Sequence, residues 1–151
     1  MSYIENNLLN GENVLYRGKL HWIVFIWPII WFIVSLVFFA YRNHIVGLGA
    51  LLLAIITGIA ALINYTSSEF GITNKRVVVK IGFIRRNSLE VLLNKVEGIQ
   101  VNQGIWGRIL GFGSITVTGT GGTKDPFHKI EAPLEFRRKA QEQIAVVQDS
   151  K

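Results

Sequence analysis

The sequence predicts a membrane α-helical hairpin followed by a β-rich, antiparallel domain capped by one C-terminal α-helix. Three observations carry this. Two uncharged apolar runs, Trp22–Tyr41 and Ile45–Ile63, are separated only by Arg42-Asn43-His44. Beyond Tyr65 the apolar period changes from helical to two, the signature of half-buried strands. After Pro133, Phe136, Ala140, Ile144 and Val147 recur at helical spacing. The expected organisation is an N-terminal segment over 1–21, a hairpin over 22–65 and the β-rich domain over 66–151, with its helix over about 133–147.

The hairpin passes the length test. A hydrocarbon core of roughly 30 Å needs about 20 helical residues at about 1.5 Å each. Trp22–Tyr41 holds thirteen Ile, Leu, Val or Phe residues and no charge. At about −0.3 to −0.6 kcal/mol each, these favour insertion by several kcal/mol, and a single central Arg would remove about 3 of them. Trp22 and Tyr65 suit one membrane boundary and Tyr41 the other. In the second run Ala50, Ala54, Gly58 and Ala61 share one helical face. Small residues so spaced let helices approach closely, and Trp27 and Trp31 are the expected filling of that groove. No ionisable residue lies inside either run, which argues against an ion or proton path through this chain alone.

The strands follow in order. Glu69–Thr73 and Arg76–Ile81 form a hairpin about Asn74-Lys75, since Asn tolerates the positive φ of tight turns. Val77, Val79 and Ile81 share one face of the second strand. Ile84–Leu92, Val96–Asn102, Ser114–Thr118 and Phe127–Glu131 complete a set of six, separated by turns that hold Gly or Asn. Gly107–Gly113 predicts a compact turn that packs Ile105, Ile109 or Leu110 on the barrel. Gly119-Thr120-Gly121-Gly122-Thr123 lacks the Lys-Ser/Thr and the strand-to-helix setting of a phosphate loop, and reads as a hairpin loop.

Composition narrows the function. The chain is 50% hydrophobic, only 17% charged, and carries a net charge of +6. It has no cysteine, which excludes disulfides, thiolate metal sites and a cysteine nucleophile. From Thr66 onward there are 13 Lys/Arg against 8 Asp/Glu, and Arg17 and Lys19 precede the first run. Basic flanks favour the cytoplasmic side, and an even number of spans puts both termini there. His21, His44 and His128 are too dispersed for a metal site, and Asp125 with His128 fits no nucleophile arrangement. No cofactor, metal or catalytic residue is expected. Arg137-Arg138-Lys139 is basic, but the chain lacks a stacking platform or recognition helix, so nucleic acid is not an expected partner.

An ordered set of motifs adds to this reading. Thr73-Asn74-Lys75-Arg76-Val77 is followed by Gly82, Arg85-Arg86, Glu90, Lys95-Val96-Glu97 and Gln103. Gly107-Arg108-Ile109-Leu110-Gly111-Phe112-Gly113 and Gly119–Thr123 come next, and upstream Gly11-Glu12 and Tyr16-Arg17-Gly18-Lys19-Leu20-His21-Trp22 lead into the spans. The set resembles the bacterial pleckstrin-homology domain family, of the membrane-bound type, over nearly the whole chain. The resemblance implies a PH-like domain: a seven-stranded, partly open barrel capped by a C-terminal helix, in the bacterial inner membrane.

Two functional expectations follow. The first is a non-enzymatic membrane protein that presents the PH-like domain to a protein partner or to copies of itself, with Trp106 as a contact. The second is binding of membrane lipids with anionic head groups by Lys75, Arg76, Lys80, Arg85 and Arg86, five cations within twelve residues.

Overall fold

The computed structural model describes residues 3–82, 87–120, 122 and 124–149. The chain divides into two compact units. One comprises Met1–His21 with Ser68–Lys151, and the other is Trp22–Ser67.

The Trp22–Ser67 unit is a helical hairpin. A short 3-10 turn, Trp22–Phe25, runs into α2 (Ile26–Ala40), and α3 covers His44–Ser67. Arg42 takes a positive φ of 56° in the connection, and the Asn43 side chain accepts the Val46 N–H to cap α3. The continuous helical stretch Trp22–Ala40, the 3-10 turn with α2, and α3 are each long and apolar enough to cross a membrane. Gly47, Ala50, Ala54 and Ala61 are the buried residues of α3. The facing stripe of α2 is Pro28, Trp31, Ser35 and Phe38, alternately three and four residues apart. Ser35 is buried and donates its hydroxyl to the Gly47 carbonyl at 2.9 Å. The Phe39 ring lies 3.2 Å from where a Gly47 Cβ would stand. Trp27, an expected filler, is 59% exposed: one residue before Pro28, it is turned about 100° off the facing stripe. Pro28 instead approaches Gly58, and Trp31 is half-buried.

The larger unit holds seven strands among the described residues. The first sheet has the order β1 (Val14–Gly18), β2 (Glu69–Thr73), β3 (Arg76–Ile81), β4 (Asn87–Leu92). The second is β5 (Val96–Asn102), β6 (Phe112–Gly119), β7 (Lys124–Glu131), and all pairings are antiparallel. A bridge from Leu20 to Ile130 joins the extension of β1 to β7. The short helices α1 (Tyr3–Asn6) and α4 (Ile105–Leu110) flank the sheets. Helix α5 (Pro133–Asp149) covers the core, with Phe136 and Ala140 fully buried beside Phe70, Ile72, Ile115 and Val117. The Phe136 ring meets Tyr16 edge-on at 6.0 Å.

The six-strand pattern omitted β1. It lies ahead of the hairpin, so residues 1–21 are part of the β-rich unit, which therefore does not begin at 66. Arg17 pairs with Gly71 and Gly18 with Phe70 across the whole hairpin. The alternation of Val14, Tyr16 and Gly18 inward is masked in sequence by Leu15, which is apolar yet 48% exposed. The start of the fourth strand, predicted from Ile84, lies outside the described residues up to Asn87.

Candidate functional site

Antiparallel register sorts the unit into two ends. The chain leaves at His21 and returns at Ser68, and neither junction has a linker residue. Glu69, next to that return, pairs with Lys80. The β2–β3 turn, with Lys75 and Arg76, is at the other end. Lys80 and Arg76 are four residues apart on one strand, about 13 Å. Among the described members of the basic cluster, Lys75 and Arg76 therefore stand at one end of the strand pair and Lys80 towards the other.

Arg76 is committed to the fold. Its Nε donates to Glu12 Oε1 at 2.9 Å and its Nη2 to Glu12 Oε2 at 3.1 Å. Nη1 reaches Glu90 Oε2 at 2.6 Å, and Nη2 also donates to the Asn7 carbonyl. The Glu12 side chain is 0% exposed and that of Arg76 only 11%. Glu12 further accepts the Thr73 hydroxyl at 2.7 Å and the Leu9 N–H at 2.6 Å. Burial pushes the Glu12 carboxyl upward, but the Leu9 N–H, the Thr73 hydroxyl and the Arg76 guanidinium outweigh it. The net value lies below the ordinary carboxylate range. This lock ties the segment before β1 to the β2–β3 turn and to β4. A guanidinium so engaged is not offered to a head group. Lys75 is exposed and donates its Nζ to the Asn10 carbonyl at 2.6 Å. Lys80 is half-buried, and Arg85 and Arg86 lie outside the described residues.

The end with the chain junctions carries the largest departure from expectation. Ile105, Ile109 and Leu110 do not pack on the barrel: they are 79%, 69% and 39% exposed, and Trp106 is 73% exposed. Gly107 is the buried residue of α4. A Cβ on Gly107 would lie 2.5 Å from the Phe112 carbonyl oxygen, so only glycine lets the helix come this close. Gly111 closes the helix at φ 80°, a left-handed cap. Docking through the smallest residue turns every large one outward. Gln103 fixes the turn by donating its Nε2 to the Phe112 carbonyl at 3.0 Å.

The unit also presents open edges. Strands β4 and β5 each have one neighbour in their sheets among the described residues. A groove of about 550 Å³ crosses the second sheet, lined among others by Gln100, Asn102, Ser114, Thr116, His128 and Arg137. Among the described residues no three His, Cys, Asp or Glu side chains gather as a metal site. Sequence reasoning had Glu12 and Thr73 within motifs but gave them no partners, because the Thr73–Glu12 and Arg76–Glu12 contacts join residues more than 60 positions apart. It had Trp106 outward as a contact but assigned Ile105, Ile109 and Leu110 inward because they are apolar. The central Gly107 was the available signal.

The comparison with protein families gives one finding: a family model described as a bacterial PH domain matches residues 22–144. The match takes in both long apolar helices and ends within α5, with β1 upstream of it. No curated protein and no solved structure matches the chain.

Proposed function

The chain belongs to the bacterial PH domain family, and on that premise we propose that it is a non-enzymatic integral membrane protein whose PH-like unit holds a protein partner, or further copies of itself, at the cytoplasmic face of the bacterial inner membrane. The insertion of the apolar hairpin between the paired strands β1 and β2 carries this reading. Two strands of one sheet cannot pair across a bilayer, so a hairpin that enters it must cross an even number of times. Both ends of the chain then share one side, and the basic flanks favour the cytoplasm. Large outward side chains such as Ile33, Leu36, Ile56 and Ile59, each more than half exposed, suit lipid rather than water.

Protein binding is the reading the open edges favour. An extended segment can add to an edge strand by main-chain hydrogen bonds, with alternate side chains setting specificity. Lipid head-group binding through Lys75, Arg76, Lys80, Arg85 and Arg86 is the weaker alternative, because Arg76 is held by Glu12 and Glu90 and Lys75 lies at the opposite end from Lys80. Pull-down of the full chain from membranes, with native mass spectrometry of the detergent-solubilised protein, tests the proposal. An enriched partner or a defined oligomer is the expected result. A lone monomer that enriches nothing would overturn it.

A further inference from the structure

We propose that α4 is an interfacial foot, with Ile105, Trp106 and Ile109 resting in the head-group region of the lipid bilayer beside the root of the hairpin. This rests on the membrane reading given above and adds a second, non-spanning contact to it. The first observation is the inversion of the helix. A surface helix normally turns its apolar stripe to the core, whereas α4 docks through Gly107 and presents Ile105, Trp106 and Ile109 at 79%, 73% and 69% exposure. Four of its six residues are large and apolar, and the exposed Arg108 stands among them. A Trp beside a cation on an apolar helix suits the boundary between acyl chains and water, where the ring and the long basic stem each keep one end wet.

The second observation is position, and it lies within the β-rich unit itself. The last residue before the hairpin, His21, sets its ring against Phe112 at 5.3 Å between centroids with a 36° tilt and donates its backbone N–H to the Lys129 carbonyl at 2.7 Å. Phe112 follows α4 by two residues. The Lys19 carbonyl accepts the Glu131 N–H at 3.0 Å, and the adjacent Ala132 N–H donates to the Gly111 carbonyl at 2.9 Å. Two consecutive hydrogen bonds thus tie the end of α4 to the strand that continues directly into Trp22. The end of α4 is therefore held close to His21, the last residue of the β-rich unit before the hairpin begins. For an exposed apolar helix tied to the residue before the hairpin, the occupant this continuity favours is the bilayer the hairpin enters. Exposed apolar residues elsewhere on the unit, such as Val146 towards the far end of α5, lack this continuity.

The absence of cysteine makes the test direct. Spin labels on Ile109→Cys and Trp106→Cys of the full chain are compared with Ile33→Cys in the hairpin and Val146→Cys on α5. The protein is reconstituted in vesicles of phosphatidylethanolamine and phosphatidylglycerol, and accessibility to oxygen and to a water-soluble nickel chelate gives depth. The expected result has the labels at 106 and 109 favouring oxygen, at about 5–10 Å below the head-group boundary. The label at 33 is then deeper and the label at 146 is open to nickel. A deep label at 33 with nickel-accessible labels at 106 and 109 overturns the foot while leaving the hairpin in place. Labels at 109 that broaden one another and are shielded from both reagents show a second copy seated on α4, and also overturn it. Nickel access at 33 removes the membrane reading and the foot with it.

Discussion

Replacing Arg76 with Ala should unlock the β-rich unit. The substitution leaves the Glu12 carboxylate, 0% exposed, without its two guanidinium hydrogen bonds at 2.9 and 3.1 Å. The Thr73 hydroxyl and the Leu9 N–H remain but carry no formal charge. A hydrogen bond to a charged group contributes about 1.5–3 kcal/mol, and breaking a buried ion pair from one side costs about 3–5 kcal/mol. The two routes agree, so Arg76→Ala should destabilise the unit by about 3–5 kcal/mol. Glu12→Ala should cost less, about 2 kcal/mol, because Arg76 keeps Glu90, which is 36% exposed and lets the cation reach water. Replacing both by Met should cost less than Arg76→Ala alone, since no charge is left buried. Hydrogen exchange of the full chain in lipid nanodiscs, read at the amides of β2 and β3, measures each step. A loss below about 1 kcal/mol in Arg76→Ala, or a double Met variant that costs more than Arg76→Ala alone, would refute the lock.

Four further outcomes follow from the same geometry. Because the fold lowers the Glu12 carboxyl below its ordinary value of 4.5, its contribution is present above that pH and is lost as pH falls through the lower folded value; acid titration of stability should lose this component in Glu12→Gln. Phe136→Ala removes a side chain that is 0% exposed beneath Tyr16 and should cost about 3–5 kcal/mol in thermal unfolding of the β-rich unit. Ser35→Ala deletes the bond to the Gly47 carbonyl and should weaken the helical hairpin by about 0.6 kcal/mol, and by no more than about 1.7, in a steric-trap measurement. Gly107→Ala forces a Cβ against the Phe112 carbonyl and should cost about 1–3 kcal/mol, with exchange protection lost in α4 but retained in β2 and β3.

The parts of this protein that sequence revealed are those whose signal is local. The apolar runs and the stripe of Phe136 and Ala140 report themselves within a few residues, and Val77 and Val79 are buried as read, although Val78 between them is buried too and β3 is covered on both faces there. The parts it concealed depend on distant partners. Strand β1 pairs across a hairpin of more than 40 residues, and Leu15 on its outer face hides its alternation. Arg76 reads as a surface cation because its carboxylate lies 64 positions away. Helix α4 reads as core because its side chains are apolar, although its backbone approaches the sheet only where Gly107 allows. In each case the residue type was legible and its direction was not.

The position of β1 also sets an order of events during synthesis. Its neighbour β2 is translated about fifty residues later, which at about 5–20 residues per second is a wait of several seconds. Throughout that interval Tyr16 and Gly18 have no sheet to join, and the Glu12 carboxylate has no guanidinium. The apolar hairpin is made entirely within the wait. Closure of the sheet therefore comes after the hairpin has emerged, and an N-terminal strand drawn to the wrong side could never meet its mate. If the hairpin enters a membrane as proposed, closure of the sheet reports that both ends stayed on one side, and a chain with β1 and β2 on opposite sides displays an unpaired strand and a bare carboxylate.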